Sequence, residues 1–316
     1  MKADAADAEM VSKSVAVIAC TAMSVLYVGI LYSPTLIFRL PQPTSFKQFL
    51  IRRFICAAVS SLVSLFMSSL ILLHVQNWKL SYIFDIYGVR VDHFWRSMVL
   101  PLLLTSLMYA GSLLCKFLLL LDSWREHGNG GISVDGINYA MQKFLDWMLS
   151  VASNVAAWRT YVVAPITEEL VFRACMIPLL LCGGFKAYHV VFLSPIFFSL
   201  AHLNHFLEFY SQKNHSLLRA SLAVGLQLGY TVIFGSYGSF LFIRTGHLIA
   251  PLAAHIFCNF MGLPLIYSNR KGLIISLTFV AGAVGFAGLL FPLTSPDLYN
   301  FRTYDCRCWH GYCSWK

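Results

Sequence analysis

Charged residues are scarce in this chain. Asp, Glu, Lys and Arg make up only 12% of its 316 residues, whereas soluble globular domains carry about 25%. Hydrophobic residues reach 58%, and the mean hydropathy is +0.68. The composition excludes an ordinary soluble domain and indicates a protein that is embedded in the lipid bilayer.

Long polar stretches are also few, and they separate apolar runs. A helix needs about 20 mostly apolar residues to cross a hydrocarbon core about 30 Å thick. The fifth run is short, so about seven to nine crossings fit the pattern. We predict an all-α polytopic membrane protein with about eight transmembrane helices, which lie near residues 15–36, 54–74, 98–121, 160–182, 188–204, 217–243, 247–267 and 272–293.

Blocks of basic residues and paired cysteine motifs are absent. The net charge of +9 is spread over many loops, which favours attraction to anionic lipid headgroups and gives no indication of nucleic acid. Lys and Arg are divided evenly between the two predicted sides, so the positive-inside rule does not orient the chain.

Three cysteines cluster in the tail, Cys306, Cys308 and Cys313. A zinc site there needs a fourth ligand such as His310, and the spacing differs from paired C-x2-C.

Charged residues inside the apolar runs are rarer still, and three of them share the segment TEELVFR, residues 167–173. Glu169 and Arg173 are four residues apart with the acid first, the favourable order for an ion pair on a helix. Glu168 points about 100° away from Glu169 and needs another partner. Because ionisable groups are costly at membrane depth, we predict a functional role for Glu168.

Polar residues that could act with Glu168 lie on other predicted spans. Pro165 has no amide hydrogen and is predicted to start, kink or open its helix beside a wet cavity. FFSLAHLNH carries His202 and His205, and AAHIFCNF carries His255 and Asn259 four residues apart. A carboxylate and an imidazole can activate water, while Asn and a second His can donate hydrogen bonds to an oxyanion. This set is suited to peptide hydrolysis without a covalent intermediate.

Three short motifs also resemble a known family. EELVFR fits E-E-x-x-x-R, FSLAH fits F-x-x-x-H, and HIFCN fits H-x-x-x-N, in the order found in the CAAX-protease and bacteriocin-processing family. Longer segments, among them WRTYVVAPITEELVFRACMIPLL and RTGHLIAP, are similar to its eukaryotic type II CAAX prenyl proteases. The resemblance extends from about residue 84 to 264.

The resemblance implies an activity and residue roles. The activity is removal of the -aaX tripeptide from farnesylated or geranylgeranylated CaaX proteins, such as Ras-type small GTPases. The implied setting is a multi-pass enzyme of the endoplasmic reticulum membrane, with an intramembrane catalytic cavity that is accessible from the cytosol. The implied site uses no cofactor and no metal. By motif, Glu168 and His202 activate water, His255 and Asn259 bind the oxyanion, and Glu169 and Arg173 support the site.

The chain has no internal repeat and no separate soluble module. A loop with Gly128, Gly130 and Gly131 reads as a flexible connection. We therefore divide the chain into an N-terminal three-span portion (1–121), a flexible loop (122–144), a catalytic helical core (145–293) and a Cys- and Trp-rich tail (294–316).

Other mechanisms and functions fit parts of the pattern. Zinc could be held by His202, His205, His255 and Glu168, although HExxH is absent. A cysteine mechanism would use Cys258 or Cys175. A transporter or scaffold would also bury charges and contain glycines, and we expect the pair Gly225 and Gly229 to mark close helix packing. Aromatic candidates for the cavity lining are Phe197, Phe198, Tyr230 and Phe234.

Overall fold

A computed structural model describes residues 11–76, 80–127, 134–201, 217–267 and 272–300 of the chain. Within these ranges the regular structure is helical and no strand occurs, which confirms the all-α prediction. The helices are α1 Lys13–Gly29, α2 Ser33–Leu36, α3 Phe46–Gln76, α4 Leu80–Ile86, α5 Phe94–Met108, α6 Ala110–His127, α7 Val134–Ser153, α8 Val155–Trp158, α9 Ala164–Glu169, α10 Met176–Cys182, α11 Ala187–Ala201, α12 Leu217–Thr245, α13 Ile249–Met261 and α14 Gly272–Leu293.

Within the described ranges, four helical segments are long and apolar enough to cross a membrane, and each coincides with a predicted span. The chain is therefore a polytopic membrane protein, as its hydropathy predicts. The four segments are Lys13–Leu36, Phe46–Leu73, Val224–Thr245 and Gly272–Leu293.

The other predicted spans have a different form. The third is bent by 82° between α5 and α6, where Tyr109 leaves helical geometry. The fifth and seventh correspond to short apolar helices, α11 and α13, and the fifth also extends beyond the described residues. Hydropathy detects these apolar runs but not the bend or the short helix lengths, because it carries no information on backbone direction.

The fourth predicted span lies at the centre of the bundle. It runs from Val155 to Cys182 as α8, α9 and α10, which are joined by π-helical turns at Arg159–Val163 and Leu170–Cys175. Asn154 caps its first turn, because its side chain accepts from the amides of Ala156 and Ala157. The residues after Leu170 are almost entirely buried and form the middle of the main hydrophobic core.

Helix α1 packs against this central stretch through small side chains. Its buried residues Ala16, Ala19, Cys20 and Met23 recur with helical periodicity on one face. The Cys20 thiol lies 3.8 Å from the backbone oxygen of Met176. Helix α3 likewise buries small residues, and small residues allow helices to approach closely in a membrane; its buried serines are Ser60, Ser61, Ser64 and Ser68.

The two ends of the bundle can be distinguished from these contacts. At one end, which we call the Lys13 end, the Nζ of Lys13 lies 5.8 Å from the ring centre of Phe185, just after α10. At the other, the Asn154 end, Leu31 after α1, Arg53 near the start of α3, and Arg159 line one cavity. The central stretch therefore begins at the Asn154 end, and Glu168 lies about midway along it.

The loop before α13 is fixed by contacts with two other segments. The amide of Leu248 donates to the oxygen of Gly88 at 2.9 Å. Gly88 has φ +69°, and a Cβ there would lie 2.7 Å from the Leu248 nitrogen, so a side chain is excluded. Nε2 of His247 lies 3.3 Å from the oxygen of Tyr299. Burial, with a smaller contribution from Arg90, lowers the pKa of His247 to about 4. A neutral ring therefore helps to fix the start of α13, which carries His255.

Candidate active site

Two π-helical turns flank the short helix that carries both glutamates. In the first, the amide of Ala164 donates to the oxygen of Arg159, five residues earlier. The next residue, Pro165, has no amide hydrogen to donate. The oxygen of Thr160 therefore accepts neither from the amide of Ala164, which would be its α-helical donor, nor from residue 165, which is proline. Such widened turns are frequent at functional sites, and the predicted opening of the helix at Pro165 takes this form.

The side-chain amide of Asn259 supplies the hydrogen-bond donor that Pro165 lacks. Its Nδ2 donates to the oxygen of Thr160 at 2.8 Å, which links α13 to the first π turn. An Asn amide has two hydrogens, and this link uses one of them. The structure thus gives Asn259 a helix-linking contact that its H-x-x-x-N motif does not indicate.

Glu169 and Arg173 form the ion pair that their spacing predicts. Nε of Arg173 lies 3.2 Å from Oε2 of Glu169, and the two side chains are 1% and 0% exposed. The guanidinium also lies over the ring of Phe198, 4.7 Å from its centre. A Cβ at Gly238 would lie 3.1 Å from Nη2 of Arg173, so this glycine lets α12 approach the arginine closely.

Glu169 has a second partner that sequence reasoning missed. Its Oε1 lies 2.8 Å from Nδ1 of His255, on α13. A carboxylate at this distance holds the hydrogen on Nδ1 and fixes the orientation of the ring. No spacing rule indicates this contact, because the two residues are on different helices.

Glu168 occupies the opposite side of the same imidazole. Its Oε2 lies 3.7 Å from Nε2 of His255, and its side chain is 14% exposed. The separation exceeds that of a direct hydrogen bond. The helical geometry separates the glutamates as the sequence predicts, since Glu169 lies in the core and Glu168 faces a cavity.

The arrangement constrains the chemistry of His255. Because Nδ1 already donates to Glu169, donation from Nε2 to an oxyanion requires a doubly protonated ring. Alternatively, a neutral ring leaves Nε2 as an acceptor for water. Glu168 and His255 are thus placed to share one proton during a reaction.

The cavity at Glu168 lies between α1, α3, the first π turn and α11. Its lining is mainly apolar but includes two arginines as well as Tyr27 and Thr167, whose hydroxyls lie 3.0 Å apart. Its lining residues are Tyr27, Val28, Leu31, Arg53, Phe54, Ala57, Arg159, Val163, Ala164, Thr167, Glu168 and Ala201. The arginines Arg53 and Arg159 are site residues that sequence analysis missed, and no motif marks them.

The remaining candidates lie elsewhere or cannot be placed. His202 and His205 fall outside the described residues, although Ala201, which precedes them, lines the cavity. The four aromatic candidates do not line it, and Phe234 instead lies against His255, with ring centres 5.0 Å apart and ring planes tilted by 55°. Among the described residues, no atom lies within 4 Å of a would-be Cβ at Gly225 or Gly229, whereas close contacts occur at Gly235 and Gly238 on the same helix.

The alternative mechanisms find little support in the described part of the chain. Cys258 and Cys175 are buried and do not line the cavity. Within the described ranges, no three His, Cys, Asp or Glu side chains lie close enough together to hold a metal ion. The zinc set considered above includes His202 and His205, which those ranges do not cover.

Comparison with known proteins gives a consistent result. Residues 150–261 match the family model "Type II CAAX prenyl endopeptidase Rce1-like". The chain is 58% identical to CAAX prenyl protease 2 of Arabidopsis thaliana over 312 residues, which cover 99% of this chain and 100% of that protein. It is 33% identical to the Homo sapiens protein of the same name over 299 residues, covering 90% and 83%. No solved structure matches the chain.

Proposed function

Because the chain belongs to the type II CAAX prenyl endopeptidases, enzymes that hydrolyse peptide bonds, we propose that it removes the -aaX tripeptide from CaaX proteins. Its substrates would carry a farnesyl or geranylgeranyl group on the CaaX cysteine, as in Ras-type small GTPases. The observation that carries the proposal is one imidazole held between two carboxylates beside a cavity. Nδ1 of His255 meets Glu169, and Nε2 faces Glu168 across 3.7 Å.

In the proposed mechanism, Glu168 and His202 take a proton from a water molecule that attacks the scissile carbonyl. General-base catalysis of this kind contributes about 10²- to 10⁴-fold in rate. His255 and Asn259 donate to the resulting oxyanion. The proton then passes to the leaving amine, so that the enzyme returns to its starting state. Glu169 and Arg173 do not react; they hold His255 in position.

The membrane setting supports the same proposal. Glu168 lies about midway along the central helical stretch, where an unpaired charge is costly and typical of function. A prenyl group is apolar, and the cavity is lined largely by apolar residues. We place the enzyme in the endoplasmic reticulum membrane with its cavity open to the cytosol, where newly prenylated proteins are found.

The first test is turnover of a farnesylated CaaX peptide by the purified protein in lipid vesicles. We expect Glu168→Gln and His202→Ala to lower kcat by about 10²-fold or more, since each removes a proton acceptor. Asp122→Asn, an exposed acid outside the cavity, is the matched acid-to-amide control and should leave kcat unchanged. Normal cleavage by both active-site variants would refute the mechanism.

The same assay distinguishes the proposed mechanism from a zinc-dependent one. Turnover should persist after strict chelation, because the proposed site uses water activated by protein groups. Loss of turnover on chelation, restored by added zinc, would favour a metalloprotease instead.

A further inference from the structure

Glu168 lies between two residues that are both held by other helices. It belongs to α9, a helix of 6 residues between two π turns, where Thr167 precedes it and Glu169 follows it. Each residue of a helix turns by about 100°, so these two neighbours point to either side of Glu168. Both are buried, whereas the side chain of Glu168 is partly exposed. The Glu169 side is held by His255 and Arg173, and the Thr167 side is held by a different helix.

The residue that holds the Thr167 side is Tyr27 of α1. Its hydroxyl oxygen lies 3.0 Å from Oγ1 of Thr167, and both side chains line the cavity that Glu168 faces. Oγ1 of Thr167 also donates to the backbone oxygen of Val163 at 2.8 Å. Because a threonine hydroxyl has one hydrogen, Tyr27 donates and Thr167 accepts. The hydrogen-bond chain therefore runs from α1 through Thr167 into the first π turn.

The ring of Tyr27 is itself fixed by packing. It meets the ring of Phe172 edge to face, with centres 5.5 Å apart, and Phe172 meets Phe198 in the same way at 5.1 Å. Aromatic pairs prefer such geometry. Phe198 lies against the guanidinium of Arg173, which pairs with Glu169. The two sides of Glu168 are therefore connected through the core as well as along α9.

We propose that Tyr27 is a positioning residue for peptide hydrolysis, which fixes the rotation of α9 so that Glu168 faces the cavity. This inference rests on the proposed function and adds to it a residue outside the three motifs and outside residues 150–261. The π turns on both sides of α9 interrupt the regular α-helical hydrogen bonds. Contacts with other helices must therefore set the rotation of this short segment. Tyr27 acts on Glu168 through Thr167 and does not bind the substrate.

The test measures kcat and KM for a farnesylated CaaX peptide in lipid vesicles. Tyr27→Phe keeps the ring and removes the hydroxyl. We expect it to lower kcat about tenfold and to leave KM unchanged, because a displacement of about 1 Å in an active site can cost up to about 100-fold in rate. Thr167→Val removes the acceptor and should give the same loss. Thr167→Ser keeps the hydroxyl and should retain most of the activity.

A double variant distinguishes one shared link from two independent defects. If Tyr27 acts through Thr167, Tyr27→Phe combined with Thr167→Val should lose about tenfold in kcat, like each single variant, because effects within one hydrogen bond are not additive. A loss of about 100-fold, the product of the two, would overturn the proposal. If Tyr27→Phe does not fold, the two Thr167 variants test the same link, and an equal kcat for both would overturn it.

Tyr32→Phe is the matched control. It removes the same hydroxyl from a tyrosine that follows α1 and is not among the described lining residues of the cavity. It should keep the kcat and KM of the unaltered enzyme. A loss in Tyr32→Phe equal to that in Tyr27→Phe would assign the effect to the packing of this segment in general and would overturn the proposal.

A binding measurement distinguishes positioning from contact with the substrate. In the Glu168→Gln background, Tyr27→Phe should leave the Kd of the farnesylated peptide unchanged. A Kd about tenfold higher would show that Tyr27 binds the substrate and would overturn the positioning role. If the unaltered enzyme does not cleave the peptide, the proposed function fails and the role of Tyr27 fails with it. If the unaltered enzyme and Tyr27→Phe cleave it equally, only the role of Tyr27 fails.

Discussion

At the scale of single residues, the two glutamates have different environments, so substituting them should have different effects on stability. Glu169 is fully buried between Arg173 and His255. We predict that Glu169→Gln lowers the free energy of unfolding by about 3–5 kcal/mol, because it leaves a buried guanidinium without its counter-charge. Glu168→Gln should change stability little, because that side chain faces the cavity. Thermal or denaturant unfolding of the purified variants measures both effects.

A double variant distinguishes the loss of a charge pair from a general packing defect. Glu169→Gln combined with Arg173→Met should recover much of the stability, because the buried guanidinium that Glu169→Gln alone leaves without a counter-charge is then also removed. It should not recover turnover, because the charged acceptor for Nδ1 of His255 is still missing. A double variant that is as unstable as Glu169→Gln alone would contradict the ion-pair account.

These residues also show which contacts of the site can be predicted from the sequence and which cannot. The contact between Glu169 and Arg173 could be predicted because both lie on one helix and helical geometry fixes their separation. The contact between Glu169 and His255 could not, since it depends on how two helices pack. Pro165 signalled a disturbed helix, but nothing in the sequence indicated that Asn259 would donate to the adjacent Thr160 oxygen.

At the scale of elements, hydropathy located the long apolar helices but not their interruptions. Length and apolar content decide whether a helix can cross the bilayer, and four predicted spans were found on that basis. The 82° bend between α5 and α6 and the π turns of the central stretch arise from local backbone geometry and tertiary packing, which an apolar run does not encode. The site is built where the central helix is interrupted.

The approach of α12 to the central stretch depends on Gly238. We predict that Gly238→Ala lowers kcat about tenfold. The added methyl group would lie 3.1 Å from Nη2 of Arg173 and would displace the ion pair of Arg173 and Glu169, which holds His255. Turnover of the farnesylated peptide measures the effect.

Gly225→Ala on the same helix is the matched control. A methyl group there meets no atom of the described residues within 4 Å, and alanine favours a helix over glycine by up to about 1 kcal/mol. This variant should keep its activity and gain slightly in stability. Equal activity of the two alanine variants would show that Arg173 can adjust without disturbing the site.

At the scale of the whole molecule, the position of the cavity orients the chain. The cavity includes Leu31, Arg53 and Arg159 at the Asn154 end, so the proposed access from the cytosol places this end on the cytosolic side. At the same end, Arg39 lies between α1 and α3, and Lys47 lies in the first turn of α3. The loop after α10, at the Lys13 end, would then face the lumen.

Cysteine labelling in sealed microsomes tests this orientation. With the tail residues Cys306, Cys308 and Cys313 replaced by Ser, we predict that Gln42→Cys reacts with a membrane-impermeant maleimide while the vesicles are intact. Lys186→Cys should react only after the vesicles are permeabilised; both positions are exposed. The reverse pattern would place the cavity mouth in the lumen, where the enzyme could not meet prenylated proteins from the cytosol, and would require substrates to enter from within the bilayer.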